Sequence, residues 1–450
     1  MPAFWTLDRI ADALSDCCIT PPPRGATVFE RISTDTRVIE PGDCFVALSG
    51  ERFDAQDFLD QAVAAGATAL VASRAPRLGA LNVPVYVVKD TLVALGQLAR
   101  YRRVAWGKPL IGIAGSNGKT STKELLSAAL GSCYTVHATR GNLNNRVGVP
   151  LTLLAITDAA DVAVVELGTS LPGEIALLRE IARPDIAVVT SIAEEHLEGL
   201  GDLAGVLAEE SAVFDGVAVA IIPATHPELA DTASRSHKVI VAGLESGDMH
   251  AESWSIGADG SGTAIVDAVS VHSPLRGVHN LRNLMLALAA SRELGVSTAD
   301  AALGVERLTP PPMRASWERV GRALVINDAY NSNPGSALAA LDMLAAAPGD
   351  QRVAVLGTMR ELGPDSDRCH DDVARAALAS PAHIVAGIGD FADSLARIAP
   401  MDARVITAPD VDELWAVLAP RLVAEPTILL KASRGVKLER ILPLISSWAA

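Results

Sequence analysis

The run Ala114-Gly115-Ser116-Asn117-Gly118-Lys119-Thr120 brings together residue types suited to holding phosphate. Its glycines let backbone N–H groups close around phosphate oxygens, and the N-terminus of a following helix adds its positive end. In that reading Lys119 reaches the terminal phosphates and the Thr120 hydroxyl ligates magnesium. The strict pattern asks for a glycine five positions before Gly118, and that position is Ile113. The plain alternative is a helix cap. An apolar stretch before the loop (110–114) and a helical pattern from Thr120 favour nucleotide binding over it.

Other candidates are single residues. Glu166 ends the apolar run 162–165, where a carboxylate could hold magnesium directly or through water or simply face solvent; spacing alone does not choose. His196 lies in Thr190-Ser191-Ile192-Ala193-Glu194-Glu195-His196-Leu197-Glu198. From the residues alone it reads as a surface or capping histidine, and Glu194, Glu195 and Glu198 read as a solvated helix start. Asp328, in Asn327-Asp328-Ala329-Tyr330-Asn331-Ser332-Asn333-Pro334, could bind a ribose hydroxyl. The Asx-rich run could equally be turn chemistry before a helix begun by Pro334. Arg314 could swing onto transferring phosphate oxygens when domains close, or make an interdomain ion pair. Lys431 and Arg434 suit a carboxylate or phosphate, or a basic helix start.

These candidates need elements to carry them. A chain of 450 residues exceeds one ordinary core, and two breaks divide it. One is at 100–109, where a helix-like run ends in basic residues and Gly107. The other is at 308–313, with Pro310, Pro311 and Pro312 as a hinge or spacer. The expected domains are therefore 1–105, 106–308 and 309–450. In each, apolar strand-sized runs alternate with helical patterns: 44–48, 69–72 and 85–88 in the first, 110–114, 162–165, 186–189 and 217–222 in the second, and 324–326, 353–356, 384–385 and 428–430 in the third. Such alternation predicts an α/β fold with parallel sheets covered by helices, whose ligands sit at the carboxyl ends of strands.

Composition narrows the partners. A net charge of -15 argues against nucleic acid and anionic membrane, and no apolar stretch is long enough to span a bilayer. Residues 1–8 lack a basic segment followed by an apolar one, so a cytoplasmic location is expected. The five cysteines (Cys17, Cys18, Cys44, Cys133 and Cys369) have no metal-ligand spacing, and their odd number argues against a disulfide framework.

Taken in order, these motifs resemble the Mur ligase family over nearly the whole chain. Residues 115–122 are similar to its short Gly-x-x-Gly-Lys-Thr loop, which accounts for Ile113. Gly141-Asn142-Leu143-Asn144-Asn145 with Gly148-Val149-Pro150 resembles the branch that adds D-Ala-D-Ala, as do Ser33-Thr34-Asp35-Thr36-Arg37 and Gly50-Glu51-Arg52-Phe53-Asp54. Residues 328–334, Glu361-Leu362-Gly363 and 431–434 resemble its third-domain motifs. The resemblance implies a small N-terminal α/β substrate domain, a central P-loop parallel-sheet ATPase domain and a C-terminal Rossmann-like domain. It implies an ATP- and Mg2+-dependent amide ligase, expected as a monomer, acting on UDP-N-acetylmuramoyl-tripeptide and D-Ala-D-Ala.

Roles implied by the resemblance follow position by position. Gly115, Ser116, Asn117, Gly118, Lys119, Thr120 and Ser121 would bind ATP with Asn280, Arg314 and Asp328. Thr34, Asp35, Arg37, Asn142 and Asn145, with Asn331, Lys431 and Arg434, would face the substrates. Lys119, His196 and Arg314 would be catalytic. Thr120, Glu166 and His196 would hold magnesium, which reverses the bland reading of His196.

The chain departs from the family at several places. A carbamylated lysine usually bridges the metals some residues after the histidine, and that place is Glu210; Ala208 and Glu209 are not lysines either. We expect Glu210 to serve as the ligand and to remove dependence on carbon dioxide. Ser191 and Ala193 replace the usual asparagine and glycine, Gln56 a histidine, and Thr358 an aspartate. These leave two competing expectations: a related ligase with another acceptor outside the cell wall, and a nucleotide-binding protein that has lost catalysis.

Overall fold

The computed structural model describes residues 4–50, 54–74 and 82–449; Glu51, Arg52 and Phe53 of the first-domain motif lie outside the described residues. By contacts the chain forms two compact units. One comprises Met1–Gly112, Val136–Leu167 and Ala176–Asp185, the other Ile113–Thr135, Gly168–Ile175 and Ile186–Ala450.

In the first unit, strands Ile32–Ser33, Cys44–Val46, Ala69–Ala72 and Val85–Val87 pair in parallel in that order. Side chains alternate across a strand, and both faces here are apolar. Cys44, Val46, Ala69, Val71 and Tyr86 pack in one core, and Phe45, Leu70 and Ala72 in another. That double burial produces the near-continuous apolar runs seen in the sequence. Helix Thr91–Trp106 starts where the Asp90 carboxylate accepts from the N–H groups of Leu92 and Val93. It stops at Gly107, whose φ of 67° suits glycine. The unit also holds the parallel pair Val136–Ala138 and Val162–Glu166.

In the second unit, strands Ile186–Val189, Val219–Pro223, Lys238–Gly243 and Met249–His250 run parallel in that order. The end of strand Leu110–Ala114 lies beside them, with Thr190 N–H donating to the Ala114 carbonyl at 3.0 Å. Six further strands form a sheet in the order Ser316–Val320, Ala323–Asp328, Pro426–Lys431, Gln351–Gly357, Ile384–Ile388, Val405–Ala408. All its pairings are parallel except the first. Val325, Val353, Val355, Ile428 and Leu430 fill one face against Leu414, Leu418 and Ile445.

Three features depart from the all-parallel expectation, one of them the short antiparallel pair Trp5–Thr6 and Val28–Phe29. Strands Ser253–Ile256, Ser261–Val266 and Val269–Arg276 form an antiparallel meander, and Ser316–Val320 adds an antiparallel edge. Their alternating polar and apolar residues suit half-exposed strands, a pattern too weak to stand out beside the buried runs. All five cysteines are free. Among the described residues, no helix is long and apolar enough to cross a membrane.

Candidate active site

The phosphate loop leaves the carboxyl end of strand Leu110–Ala114 and turns into helix Lys119–Leu130. Gly115 and Gly118 take φ values of +115° and +90°, a region L side chains rarely enter. A Cβ on Gly115 would lie 2.7 Å from the Thr190 nitrogen, and one on Gly118 would lie 2.8 Å from the Asn283 side chain. Glycine is therefore required twice. The residue before this helix, Gly118, offers no side-chain cap, and the positive end of a helix favours an anion. The departing Ile113 is fully buried in the strand and belongs to the core.

The loop is held by the segment after strand Ile186–Val189. The Ser191 hydroxyl accepts from Asn117 N–H at 2.9 Å and donates to the Asn117 carbonyl at 3.1 Å. The Ser116 hydroxyl accepts from Ala193 N–H at 2.9 Å. The departures at Ser191 and Ala193 are thus built into the loop's support. Lys119 Nζ donates to the carbonyl of Gly115 and lies 3.9 Å from Glu195 Oε1.

Glu210 sits on helix Leu203–Ser211, wholly buried, with Oε2 accepting from Gly115 N–H at 2.6 Å. Burial, with Glu195 nearby and Lys119 opposing, pushes its carboxyl up to about 7. The neighbouring Glu209 faces elsewhere and accepts from the Thr169 hydroxyl and the N–H groups of Gly173 and Ile175, so it tethers a loop. Glu195 corrects an expectation: it is 5% exposed rather than solvated, because Lys119, His196 and Glu210, distant or adjacent in sequence, face it. Burial raises its carboxyl as well.

His196 takes φ +50°. Its Nδ1 pairs with the Glu361 carboxylate, and its Nε2 lies 3.9 Å from Glu195 Oε2. Burial alone would lower its pKa, but Glu361 and Glu195 outweigh that and raise it. A cleft of about 190 Å³ lies here, lined by His196, Asn331, Asn333, Arg360, Glu361 and Arg434 among others. Arg360, Glu195 and Asn333 had no role assigned from the sequence. Asn333 Nδ2 donates to Asn117 Oδ1 at 2.9 Å.

Around Asp328, at the end of its strand, Lys431 Nζ makes a 2.7 Å ion pair and Ala315 N–H donates at 3.0 Å. Lys431 also donates to the Asn331 carbonyl at 2.7 Å. Arg314 stacks its guanidinium 4.1 Å from the Tyr330 ring centre, while Arg434 pairs with Glu439 at 2.7 Å. Asn280 is buried, donating to the Arg276 carbonyl at 2.8 Å and accepting from Asn283 at 3.2 Å. Thr120 and Ser121 are buried in the first turn of the loop helix.

The remaining candidates lie in the first unit. Asp35 caps a short helical turn and binds Arg37 at 2.7 Å; the Arg37 hydrogen bond holds its carboxyl down at about 2. Thr34 is half-buried beside it. Asn142 and Asn145 are exposed, and Asn145 Oδ1 accepts from the N–H groups of Val147 and Gly148. Asn144, between them, donates to Glu166 Oε1 at 2.8 Å. Gln56 is buried, bonded to Ala47 and Ser73, and serves the core. Thr358 accepts from Asp390 N–H at 3.1 Å. Among the described residues no group of three or more His, Cys, Asp or Glu side chains is arranged to hold a metal ion.

A glycine-gated phosphate loop beside a buried carboxylate, with a second α/β sheet presenting Asp328 and Lys431, is the arrangement of an ATP-using ligase. The chain belongs to the Mur ligase family. Residues 113–291 match the Mur ligase middle domain, 314–434 the Mur ligase glutamate ligase domain and 28–103 the Mur ligase family catalytic domain.

The particular relatives are more specific. The chain is 37% identical over 457 residues, 97% of each chain, to the UDP-N-acetylmuramoyl-tripeptide--D-alanyl-D-alanine ligase of Escherichia coli strain K12. The crystal structure I of MurF from Acinetobacter baumannii superposes with a TM-score of 0.91 at 30% identity, over 99% of this chain and 100% of that one. MurF ligase from Thermotoga maritima, solved in complex with ADP, gives 0.83 at 28% identity over 93% and 97%.

Proposed function

We propose that this chain joins D-Ala-D-Ala to the terminal carboxylate of UDP-N-acetylmuramoyl-tripeptide, using ATP, in the cytoplasmic synthesis of peptidoglycan precursors. The observation that carries this reading is the near-complete coverage of the Escherichia coli ligase at 37% identity. The glycine-dependent loop around Lys119 supports it. Domains 1–105, 106–308 and 309–450 are supported by the three family matches, each of which falls within one of them. The chain acts as a monomer in this reading.

The reaction has two steps. A carboxylate oxygen of the tripeptide attacks the γ-phosphorus of ATP and ADP leaves, giving an acyl phosphate. The amine of D-Ala-D-Ala then attacks the acyl carbon, loses a proton and expels phosphate. Residues 115–121 grip the triphosphate, and Lys119 offsets the charge that moves between phosphates. Asn280 and Arg314 contact ATP, Asp328 its ribose, and Arg314 approaches the transferring group. Thr34, Asp35, Arg37, Asn142 and Asn145 hold the UDP-linked substrate, and Asn331, Lys431 and Arg434 also bind substrate. Positioning and charge neutralisation supply most of the rate.

Magnesium fits the residues present, because Glu210 Oε1 is buried with no hydrogen-bond partner and suits a hard cation. Thr120, Glu166, His196 and Glu210 are the residues that would hold it, and it would neutralise phosphate charge. The test is phosphate release. Release that requires both UDP-muramyl tripeptide and D-Ala-D-Ala, and is lost in Lys119→Ala, supports the reading. Release with other pairs points to another acceptor, and binding without turnover points to lost catalysis.

A further inference from the structure

Glu195 has no part in the proposed reaction, yet it stands at the centre of the charged groups beside the loop. Its Oε1 is 3.9 Å from Lys119 Nζ and its Oε2 is 3.9 Å from His196 Nε2. Its carboxyl lies close enough to that of Glu210 for each to feel the other. Both side chains are at least nine-tenths buried, and the Oε1 of each lacks a donor. Glu210 cannot turn away, since its Oε2 is fixed by Gly115 N–H at 2.6 Å.

Two buried carboxyls with bare oxygens are costly unless something positive joins them. Lys119 opposes the effect of burial on both carboxyls and also donates to the carbonyls of Gly115 and Ser116. A hard divalent cation fits better. Magnesium and manganese take one or two protein carboxylates and fill the remaining positions with water and phosphate oxygens.

We infer that Glu195 and Glu210 together clasp one divalent cation at the phosphate loop, each through its Oε1. The inference rests on the nucleotide-binding reading of that loop. It makes Glu195 a metal ligand beside Glu210.

The experiment uses the full-length protein, with Mn2+ as the probe, alone and with a non-hydrolysable ATP analogue, read by paramagnetic resonance and calorimetry. Glu195→Gln and Glu210→Gln are each expected to weaken Mn2+ binding by about tenfold or more. The double variant should lose little beyond either single one, because the same clasp is broken. Melting curves establish that each variant folds. Should Glu195→Gln fold poorly, Glu195→Asp replaces it, with several-fold weaker Mn2+ binding expected from its shorter reach. Wild-type Mn2+ affinity in the folded Glu195 variant, whatever Glu210→Gln does, overturns the inference and leaves a shared proton as the link. A wild-type protein that binds no nucleotide analogue, with or without Mn2+, overturns the functional reading instead.

Discussion

His196 Nδ1 is paired with the Glu361 carboxylate, and the same contact is closed on the main chain, where Glu198 N–H donates to the Glu361 carbonyl at 3.2 Å. Both His196 and Glu361 adopt positive φ, +50° and +65°, a conformation that persists in non-glycine residues only where surroundings enforce it. The Glu361 carboxylate is held below its usual pKa chiefly by His196.

This pairing fixes the imidazole's orientation, so Glu361→Gln should lower kcat by about tenfold or more with a smaller change in KM for ATP. Steady-state kinetics with saturating peptide and dipeptide check this. Unchanged kcat would remove Glu361 from any positioning role.

Gly115→Ala should abolish ATP-analogue binding and lower the melting temperature. The added Cβ meets the Thr190 nitrogen at 2.7 Å, a main-chain atom that cannot step aside, and the left-handed conformation adds roughly 1–2 kcal/mol. Differential scanning fluorimetry with and without nucleotide reads both effects; a nucleotide-induced shift equal to wild type would contradict them.

Glu210 is a carboxylate without carbamylation, so ligase activity should be the same in carbon dioxide-free buffer and with added bicarbonate. Glu210→Ala should lose on the order of 10²–10³ in kcat and gain nothing from bicarbonate. Full activity of that variant would refute a role for Glu210.

His370 is buried, and burial drives its imidazole below the usual 6.5 against the opposing pull of Ser366 and Asp390. Its Nε2 accepts from Met359 N–H at 2.9 Å, and its Nδ1 faces the Ser366 carbonyl at 2.7 Å, an arrangement a neutral ring satisfies. The unfolded chain therefore takes up the proton first on acidification. Its stabilisation is complete above about 6.5 and falls as pH drops from there toward the folded value. His370→Gln should be less stable than wild type at pH 7.5 by about 1–3 kcal/mol and lose less stability between pH 7.5 and 5.5. Parallel urea-denaturation curves at the two pH values would contradict this.

The phosphate loop was legible because its glycines and Lys119 are contiguous, and an apolar strand frames them. The buried parallel strands were legible for a related reason: Val353 to Leu356 and Ile428 to Leu430 are apolar on both faces. Glu195 was not, since what buries it comes from Lys119 and Glu210, and a glutamate at a short helix's start gives no sign of that. Asn144 was hidden similarly, its link to Glu166 made across two separate segments. The meander at 253–276 escaped because exposed Ser270 and His272 alternate with its apolar residues and Ser273 takes an inward position.

Asn333 does two jobs with one side chain: its Oδ1 accepts from Ser336 N–H at 2.9 Å to begin helix Pro334–Ala346, and its Nδ2 reaches Asn117 at 2.9 Å. A change in the loop's conformation at Asn117 is therefore felt at once by the opening turn of a helix more than two hundred residues onward. Amide exchange at Ser336 becomes a remote gauge of what the loop is holding.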